Sequence, residues 1–302
     1  MSPNRTTLVG VLVTFSPTEA QKSRIKDIAA ELDFLFLVDN TECESAISVD
    51  SFPSNVRVLL NGNVSGIAGA LNLGVKKAIK DFGDCFIFLL DQDSSLPPSF
   101  FARQYNFAVK YGRMVVAPKY FDVNSKTFGN YTRLSKWRIY NVMGMEAVQP
   151  FEVTFAITSG TLIYSSVFEE IGFFREDFFI DHVDSEFCVR LQRADHLILV
   201  NPDVVFMHSI GSRKLRKFLG IDFKPNFHSP VRRYYAVRNG ILMLREHFKI
   251  FPSLLWLIVI RIGYEYTGII FFENFRWAKL TALFWGVIDG IFFNVGRCKR
   301  RF

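Results

Sequence analysis

Phe86-Ile-Phe-Leu-Leu-Asp-Gln-Asp-Ser-Ser95 sets five apolar side chains before two acids that stand one residue apart. The apolar run, closed by turn formers, is the pattern of a strand buried on both faces inside a parallel sheet. In an open α/β sheet ligands bind at the carboxyl ends of such strands, where Asp91 and Asp93 fall. Two carboxylates there make a hard-oxygen site suited to Mg²⁺ or Mn²⁺. A lone Asp-x-Asp more often ends a strand in a polar turn, so its meaning depends on the neighbouring segments.

Upstream, Leu8 to Thr14, Phe34 to Val38 and Val56 to Leu60 are further short apolar runs that end in polar residues, among them Asp39-Asn40 and Asn61-Gly-Asn. Helix signals lie between them: Pro17 opens one to about Leu32, and Gly66 to Lys80 forms another. Strands alternating with helices, with polar residues after the strands, predict a doubly wound sheet of mostly parallel strands. The stretch from Asn61 to Gly74 does not match a dinucleotide fingerprint. Its small residues Gly66, Ala68, Gly69 and Gly74 allow a helix N-terminus close approach to a ligand or to a neighbouring backbone, and Asn72 is a polar group on that helix.

Downstream, Pro97-Pro98 leads into a helix toward Tyr111, and Met114 to Pro118 forms a strand. Residues 119–150 have weak patterning. Phe155 to Tyr164 reads as a strand interrupted at Ser159-Gly160, the mark of a bulge or a close backbone approach. A second acidic cluster follows, Asp181-His-Val-Asp-Ser-Glu186, with helical spacing from Asp184 onward. Acids in a first helical turn are favoured by the helix dipole alone, which suffices for Glu186. Asp181 and Asp184 sit at the loop-to-helix junction among apolar neighbours, where a carboxylate gains the basicity a general base needs. Leu197 to Val200 and Val204 to Met207 read as two strands around Asn-Pro-Asp, with His208 and a basic run at 213–217 behind them. Arg232, Tyr235 and Asn239, or Arg233 and Arg238, share a later helix, and a guanidinium fork suits phosphate oxygens.

The 302 residues are 49% hydrophobic, which excludes a disordered chain and allows one large or two small domains. The net charge of +7 suits nucleic acid, an anionic membrane face or a phosphorylated ligand. The four cysteines are scattered without metal spacing and read as reduced thiols of a cytosolic protein. No signal-peptide pattern opens the chain. Phe251 to Phe302 is the most apolar part. Arg261 and Glu265 interrupt it before the about 20 apolar residues that a membrane span needs. An apolar stripe through Trp277, Leu280, Leu283, Phe284, Ile288, Ile291 and Phe292, followed by Arg297-Cys-Lys-Arg-Arg301, fits a helix lying in an anionic membrane interface. A helical hairpin packed on its own protein or on a second subunit fits equally.

Taken in order, Val38-Asp39-Asn40, Asn63-x-x-Gly66-x-x-Gly69-x-x-Asn72-x-Gly74, Asp91-Gln-Asp93 and Phe179-Ile-Asp-His-Val-Asp-Ser-Glu-Phe-Cys-Val-Arg190 resemble the family 2 glycosyltransferases. The last of these, together with His228-Ser-Pro-Val-Arg-Arg-Tyr-Tyr-x-x-Arg-Asn239, is similar to the bacterial rhamnosyltransferase branch. The resemblance covers roughly residues 8–240. It implies a GT-A fold over residues 1–240, an apolar helical extension over 241–302, and inverting transfer of a sugar from a nucleotide-sugar donor. Thr14, Asp39, Asn40, Asn63, Gly66, Gly69 and Asn72 would line the donor site, with Asp91 and Arg233 also on the donor. Asp93, Asp91 and His208 would hold Mg²⁺ or Mn²⁺. Asp184 would be the base, with Asp181 in reserve. Val183 and Glu186 depart from the family's commoner Glu-Asp-x-Asp form.

The branch suggests dTDP-L-rhamnose as donor and a lipid-linked or lipopolysaccharide oligosaccharide as acceptor. It places the enzyme in the cytoplasm, peripheral on the inner membrane, with oligomerisation open. A UDP- or GDP-sugar is the alternative donor. A sugar nucleotidyltransferase would carry a Gly-rich basic loop after the first strand, where this chain has Phe15-Ser-Pro-Thr-Glu19. A nucleic-acid binder would arrange its basic residues as a stripe with exposed aromatics, whereas these lie near the expected phosphate and membrane sites, so no nucleic acid is expected.

Overall fold

The computed structural model describes residues 6–42, 47, 51–208, 216–218, 221–223, 225 and 227–302; for 208, 216–218 and 221–223 it describes the backbone only. The strands are β1 (Thr7–Thr14), β2 (Phe34–Asp39), β3 (Val56–Leu60), β4 (Cys85–Asp91), β5 (Val115–Asp122), β6 (Thr127–Phe128), β7 (Asn130–Leu134), β8 (Ile139–Met143), β9 (Phe151–Val153), β10 (Leu162–Tyr164), β11 (Ile198–His208), β12 (Arg216–Phe218) and β13 (Ile221–Phe223). The helices are α1 (Glu19–Ala30), α2 (Gly66–Phe82), α3 (Phe100–Tyr111), α4 (Ser165–Ile171), α5 (Val183–Arg193), α6 (Pro230–His247), α7 (Ser253–Phe272) and α8 (Arg276–Ile291).

The main sheet runs β3-β2-β1-β4-β10-β5-β11-β9, with β6 beside β5. The first four strands are parallel, as is the pair β5 and β11, while β10 enters antiparallel between β4 and β5. Each apolar strand feeds two cores, which is what near-continuous hydrophobic runs are for. Phe86, Phe88 and Leu90 of β4 pack with Ile25 and Ile28 of α1 and Phe100 and Phe101 of α3. Ile87 and Leu89 pack on the other face with Leu71 and Val75 of α2 and Phe187 of α5. The sheet is therefore doubly wound.

Three expected elements differ. The helix after Pro17 starts at Glu19, because Thr18 is its cap: the Thr18 hydroxyl accepts from the Gln21 amide, and the Gln21 side chain accepts from the Thr18 amide. The strand expected from Phe155 shrinks to β10. Gly160 has φ +79°, and the chain turns there to lay Ser159 against β4. The two strands expected around Asn-Pro-Asp are one, β11, with a register shift between Asn201 and Val205 that absorbs Pro202. Residues 119–150 hold the end of β5, β6 and the β7–β8 hairpin.

α6 runs through residue 240 and carries the C-terminal helices. α8 lies close on it because Gly286 and Gly290 have no side chain: a Cβ at Gly286 would stand 2.7 Å from the Tyr234 carbonyl oxygen, and one at Gly290 2.9 Å from the Ile241 Cβ. Arg233 of α6 is buried between Glu265 of α7 and Glu273 just beyond it, and Glu273 also accepts from Lys279 of α8 at 2.7 Å. The stripe read on α8 divides accordingly, Leu283 facing inward while Trp277, Phe284, Ile291 and Phe292 stay exposed. α7 is unbroken through Arg261 and Glu265. Its 20 residues are long and apolar enough to cross a membrane by length and composition, with 28% of that stretch buried in the protein.

Candidate active site

Parallel register brings the strand ends together. Thr14 lies opposite Asp39, and Val13 opposite Asp91, so the polar residues that end β1, β2 and β4 share one edge of the sheet. Above this edge opens a cavity of about 740 Å³, within the range of small-molecule sites. Thr14, Asn40 and Asn63 line it on one side, Asp91, Gln92 and Asp93 its floor, and Asp181, His182 and Asp184 the far side, with Arg232 and Arg261 facing them.

Neighbours on other elements hold the floor in place. The Gln92 side chain donates to the Phe15 carbonyl and accepts from the Phe15 amide at 2.8 Å, tying the loop after β4 to the loop after β1. The Ser159 hydroxyl accepts from the Asp91 amide at 3.2 Å and pairs with Ser94 at 2.8 Å. Burial pushes Asp91 up to about 7, and the charges of Asp93 and Asp184 add to the rise. Burial raises Asp184 as well, against hydrogen bonds from the Ser185 amide and hydroxyl to its carboxylate and the nearby charge of Arg261. Asp181 is paired with Arg232 at 2.8 Å. His182 is buried and held neutral, its basicity lowered well below the ordinary value by burial and then by Arg261.

The loop that presents Asp181 has an unfavourable backbone. Phe179, Asp181 and His182 all have positive φ, a conformation costing about 1–3 kcal/mol for each such residue. Asn239 of α6 offsets this, its amide donating to the carbonyls of Phe178 at 2.9 Å, Ile180 at 2.8 Å and Asp181 at 2.9 Å. Arg238 adds bonds to the Asp177 and Phe178 carbonyls, and the ring of Phe179 stacks on Tyr235 with centroids 5.4 Å apart. On the other side the Phe179 carbonyl accepts from the Ile67 amide and fills the space a Cβ at Gly66 would need.

Other residues expected at the donor make contacts within the protein. Asn72 is buried with its amide bonded to both backbone groups of Phe174 and to Glu176, so it pins the segment before the acidic loop. The Asp39 carboxylate closes a local turn onto the Thr41 amide and hydroxyl. Arg233 is enclosed by Glu265 and Glu273 and does not reach the cavity. Gly66 and Gly69 serve close packing against Phe179 and Val64. The side chain of His208 and most of the basic run behind it lie outside the described residues. Conversely, Ser159, Gln92 and Arg261 act at the cavity without having been singled out for it; the charge interrupting the apolar run was the available signal for Arg261.

Among the described residues a different group, Glu186, Glu246 and His247, brings its ligand atoms within 4.8 Å of one another. Glu186 is already gripped by Arg190 through three bonds of 2.9–3.0 Å, and Glu246 by Arg175. Those cations neutralise the carboxylates, and the group reads as an ion-pair network joining α5 to α6. At the cavity floor no cation is in contact with Asp91 or Asp93 among the described pairs, and their mutual repulsion fits a divalent ion.

Comparison with known proteins places this geometry. Residues 27–172 match the model of the Glycosyl transferase family 2. Over 242 residues the chain is 28% identical to a dTDP-rhamnosyl transferase, RfbF, of Shigella flexneri, covering 80% of each protein. It is 21% identical over 191 residues to the low-salt glycan biosynthesis hexosyltransferase of Haloferax volcanii, covering 61% of each. Two solved structures share the fold at 13% identity. GalNAc-T7, crystallised with UDP, GalNAc and Mn²⁺, matches 80% of this chain and 48% of its own with a TM-score of 0.58. S. aureus TarS 1–349 matches 95% of this chain and 72% of its own with a TM-score of 0.50. The fold is that of the GT-A glycosyltransferases.

Two predictions concern the site's construction. Because Asp91 titrates near 7 in place of 3.8, the native protein keeps a proton that the unfolded chain releases between about pH 4 and 7, and stability falls as pH rises through that window. In chelator, Asp91→Asn is expected to raise stability to denaturant by roughly 1–3 kcal/mol at pH 8 and to leave it unchanged at pH 4; a variant no more stable at pH 8 would contradict the burial of this charge. Asn239→Ala is expected to lower kcat about a hundredfold, the scale of a small misplacement of reacting groups, while nucleotide affinity holds. Parallel loss of nucleotide binding would show that Asn239 supports the whole cavity and not the acidic loop.

Proposed function

We propose that this chain, a glycosyltransferase with a family 2 domain and a rhamnosyltransferase-like sequence, transfers L-rhamnose from dTDP-L-rhamnose to an oligosaccharide acceptor with inversion. The observation that carries the reading is the single cavity in which strand-end carboxylates face a second, separately held carboxylate pair. Likeness to the Shigella flexneri dTDP-rhamnosyl transferase supports rhamnose over other sugars. Thr14, Asn40 and Asn63 would receive the nucleoside. Asp93 with Asp91 would hold Mg²⁺ or Mn²⁺, the ion neutralising charge on the departing diphosphate.

The chain's own part is proton transfer and alignment. The Asp184 carboxylate takes the proton of the acceptor hydroxyl as its oxygen bonds to the anomeric carbon, while the bond from that carbon to the diphosphate breaks on the opposite face. Raised basicity suits Asp184 to this, whereas Asp181 is engaged with Arg232 and orients the loop. Neutral His182 adds no charge beside the base.

Residues 1–240 would form the catalytic unit and 241–302 a surface-docking segment. The exposed face of α7 and α8 supports a lipid-linked acceptor and a peripheral position on the cytoplasmic side of the membrane: Phe275 and Trp277 are 82% and 84% exposed beside Arg276, and a basic tail follows at 297–301.

The test is a panel of dTDP-, UDP- and GDP-sugars with an oligosaccharide acceptor, with the anomeric configuration of the product read by NMR. Transfer from dTDP-L-rhamnose with inversion is expected. Asp184→Asn should remove transfer, by about a thousandfold or more, with donor affinity intact; retention of configuration, or near-normal turnover of this variant, would refute the mechanism.

A further inference from the structure

The segment after α8 folds back along α6 and is fastened to buried groups there. The buried Asp289 carboxylate accepts from Tyr234, Asn294 and Arg300. The Tyr235 hydroxyl accepts from the Cys298 amide at 2.6 Å, and the Gly296 carbonyl accepts from Arg238 at 2.6 Å. Arg297, between these two anchors, has a fixed place. Its guanidinium lies 5.7 Å from the centre of the Phe179 ring and donates to the Glu42 carboxylate at 2.7 Å.

From Glu42 a line of side-chain bonds runs into the cavity. The carboxylate accepts from Asn63 at 2.6 Å, Asn63 accepts from Asn40 at 3.1 Å, and Asn40 accepts from Asn61 at 2.6 Å. Of these, Asn40 and Asn63 line the cavity. An asparagine amide can present either end to its neighbour, whereas an ionised carboxylate only accepts, so Glu42 sets the direction of the whole line. The loop that carries Asn63 depends on such support: Gly62, Asn63 and Ser65 all have positive φ, and Val64 is 65% exposed.

We propose that Arg297 is a positioning residue for the donor nucleotide: by holding Glu42 it keeps the Asn63 and Asn40 amides turned to receive the nucleoside. The proposal rests on the nucleoside place put forward above for these two asparagines. With side chains 62% and 43% exposed, Arg297 and Glu42 add little to folding as a pair. Their effect falls on binding.

Full-length protein in Mn²⁺ is titrated by calorimetry with whichever of dTDP, UDP and GDP the wild type binds most tightly, and with inorganic diphosphate, which lacks the nucleoside. Arg297→Ala should weaken nucleotide binding about threefold to tenfold, with diphosphate affinity and the denaturant midpoint unchanged. Arg297→Lys should restore part of the loss. Glu42→Ala should cost at least as much as Arg297→Ala, and adding Arg297→Ala to it should cost nothing more, because the arginine acts through that carboxylate. Unchanged nucleotide affinity in Arg297→Ala would overturn the proposal. So would an equal loss of diphosphate binding or a lowered denaturant midpoint, either of which would make the residue a support of the whole fold. A further loss in the double variant would trace the effect to Phe179 and not to Glu42. A wild type that binds none of the three nucleotides would refute the nucleoside place and this proposal with it, whereas a wild type that binds one of them as tightly as its variants do would refute the positioning role alone.

Discussion

Carboxylates brought together in a half-buried cavity repel one another, and much of this structure answers that repulsion. Asp91, Asp93 and Asp184 approach from the end of β4 and the first turn of α5, close enough that the charges of the other two help lift Asp91 to about 7. Such an arrangement is costly to fold and persists only where neighbours hold it. Ser159 and Gln92 fix the floor, while Arg232 pairs with Asp181 and the charge of Arg261 acts on Asp184.

The same economy explains why helices from the end of the chain matter to a site built at the start of the sheet. Asn239 and Arg238 hold a loop with three positive-φ residues, and Tyr235 supports Phe179 from beneath. The tail after α8 joins in: the Gly296 amide donates to the Asp177 carbonyl, and Arg297 reaches Glu42, which accepts from Asn63 at the cavity. Exposed pairs of this kind contribute little singly. Together with the buried Arg233, Glu265, Glu273 and Lys279 network, they tie the apolar helices to both halves of the cavity.

Much of this was legible in the sequence. Apolar runs ending in polar residues located β1 to β4 and the sheet edge that the cavity opens above, because a buried parallel strand has to be apolar on both faces and its end has to turn. Asp93, Asp181 and Asp184 do line the cavity, and they stood out in the sequence because acids beside apolar runs are few. What stayed hidden depends on long-range partners. Asn72 looked like a ligand-facing amide, but its partner is the backbone at Phe174. Arg233 looked like a phosphate-binding group, but Glu265 of α7 and Glu273 just beyond it enclose it. Ser159 showed only as a strand interruption, and Arg261 only as a charge spoiling a membrane span. In each case the residue type was informative and the partner was not, since sequence gives a side chain's chemistry before it gives the direction in which the fold points it.

The central claim is that the carboxylate-lined cavity is a cation-dependent nucleotide site. Its most direct measurement is calorimetric titration of dTDP into the protein at pH 8, in chelator and in Mn²⁺. The account predicts affinity at least about tenfold higher with Mn²⁺, since a divalent ion relieves both the carboxylate repulsion and the diphosphate charge. Equal affinity in chelator and in Mn²⁺ would contradict it.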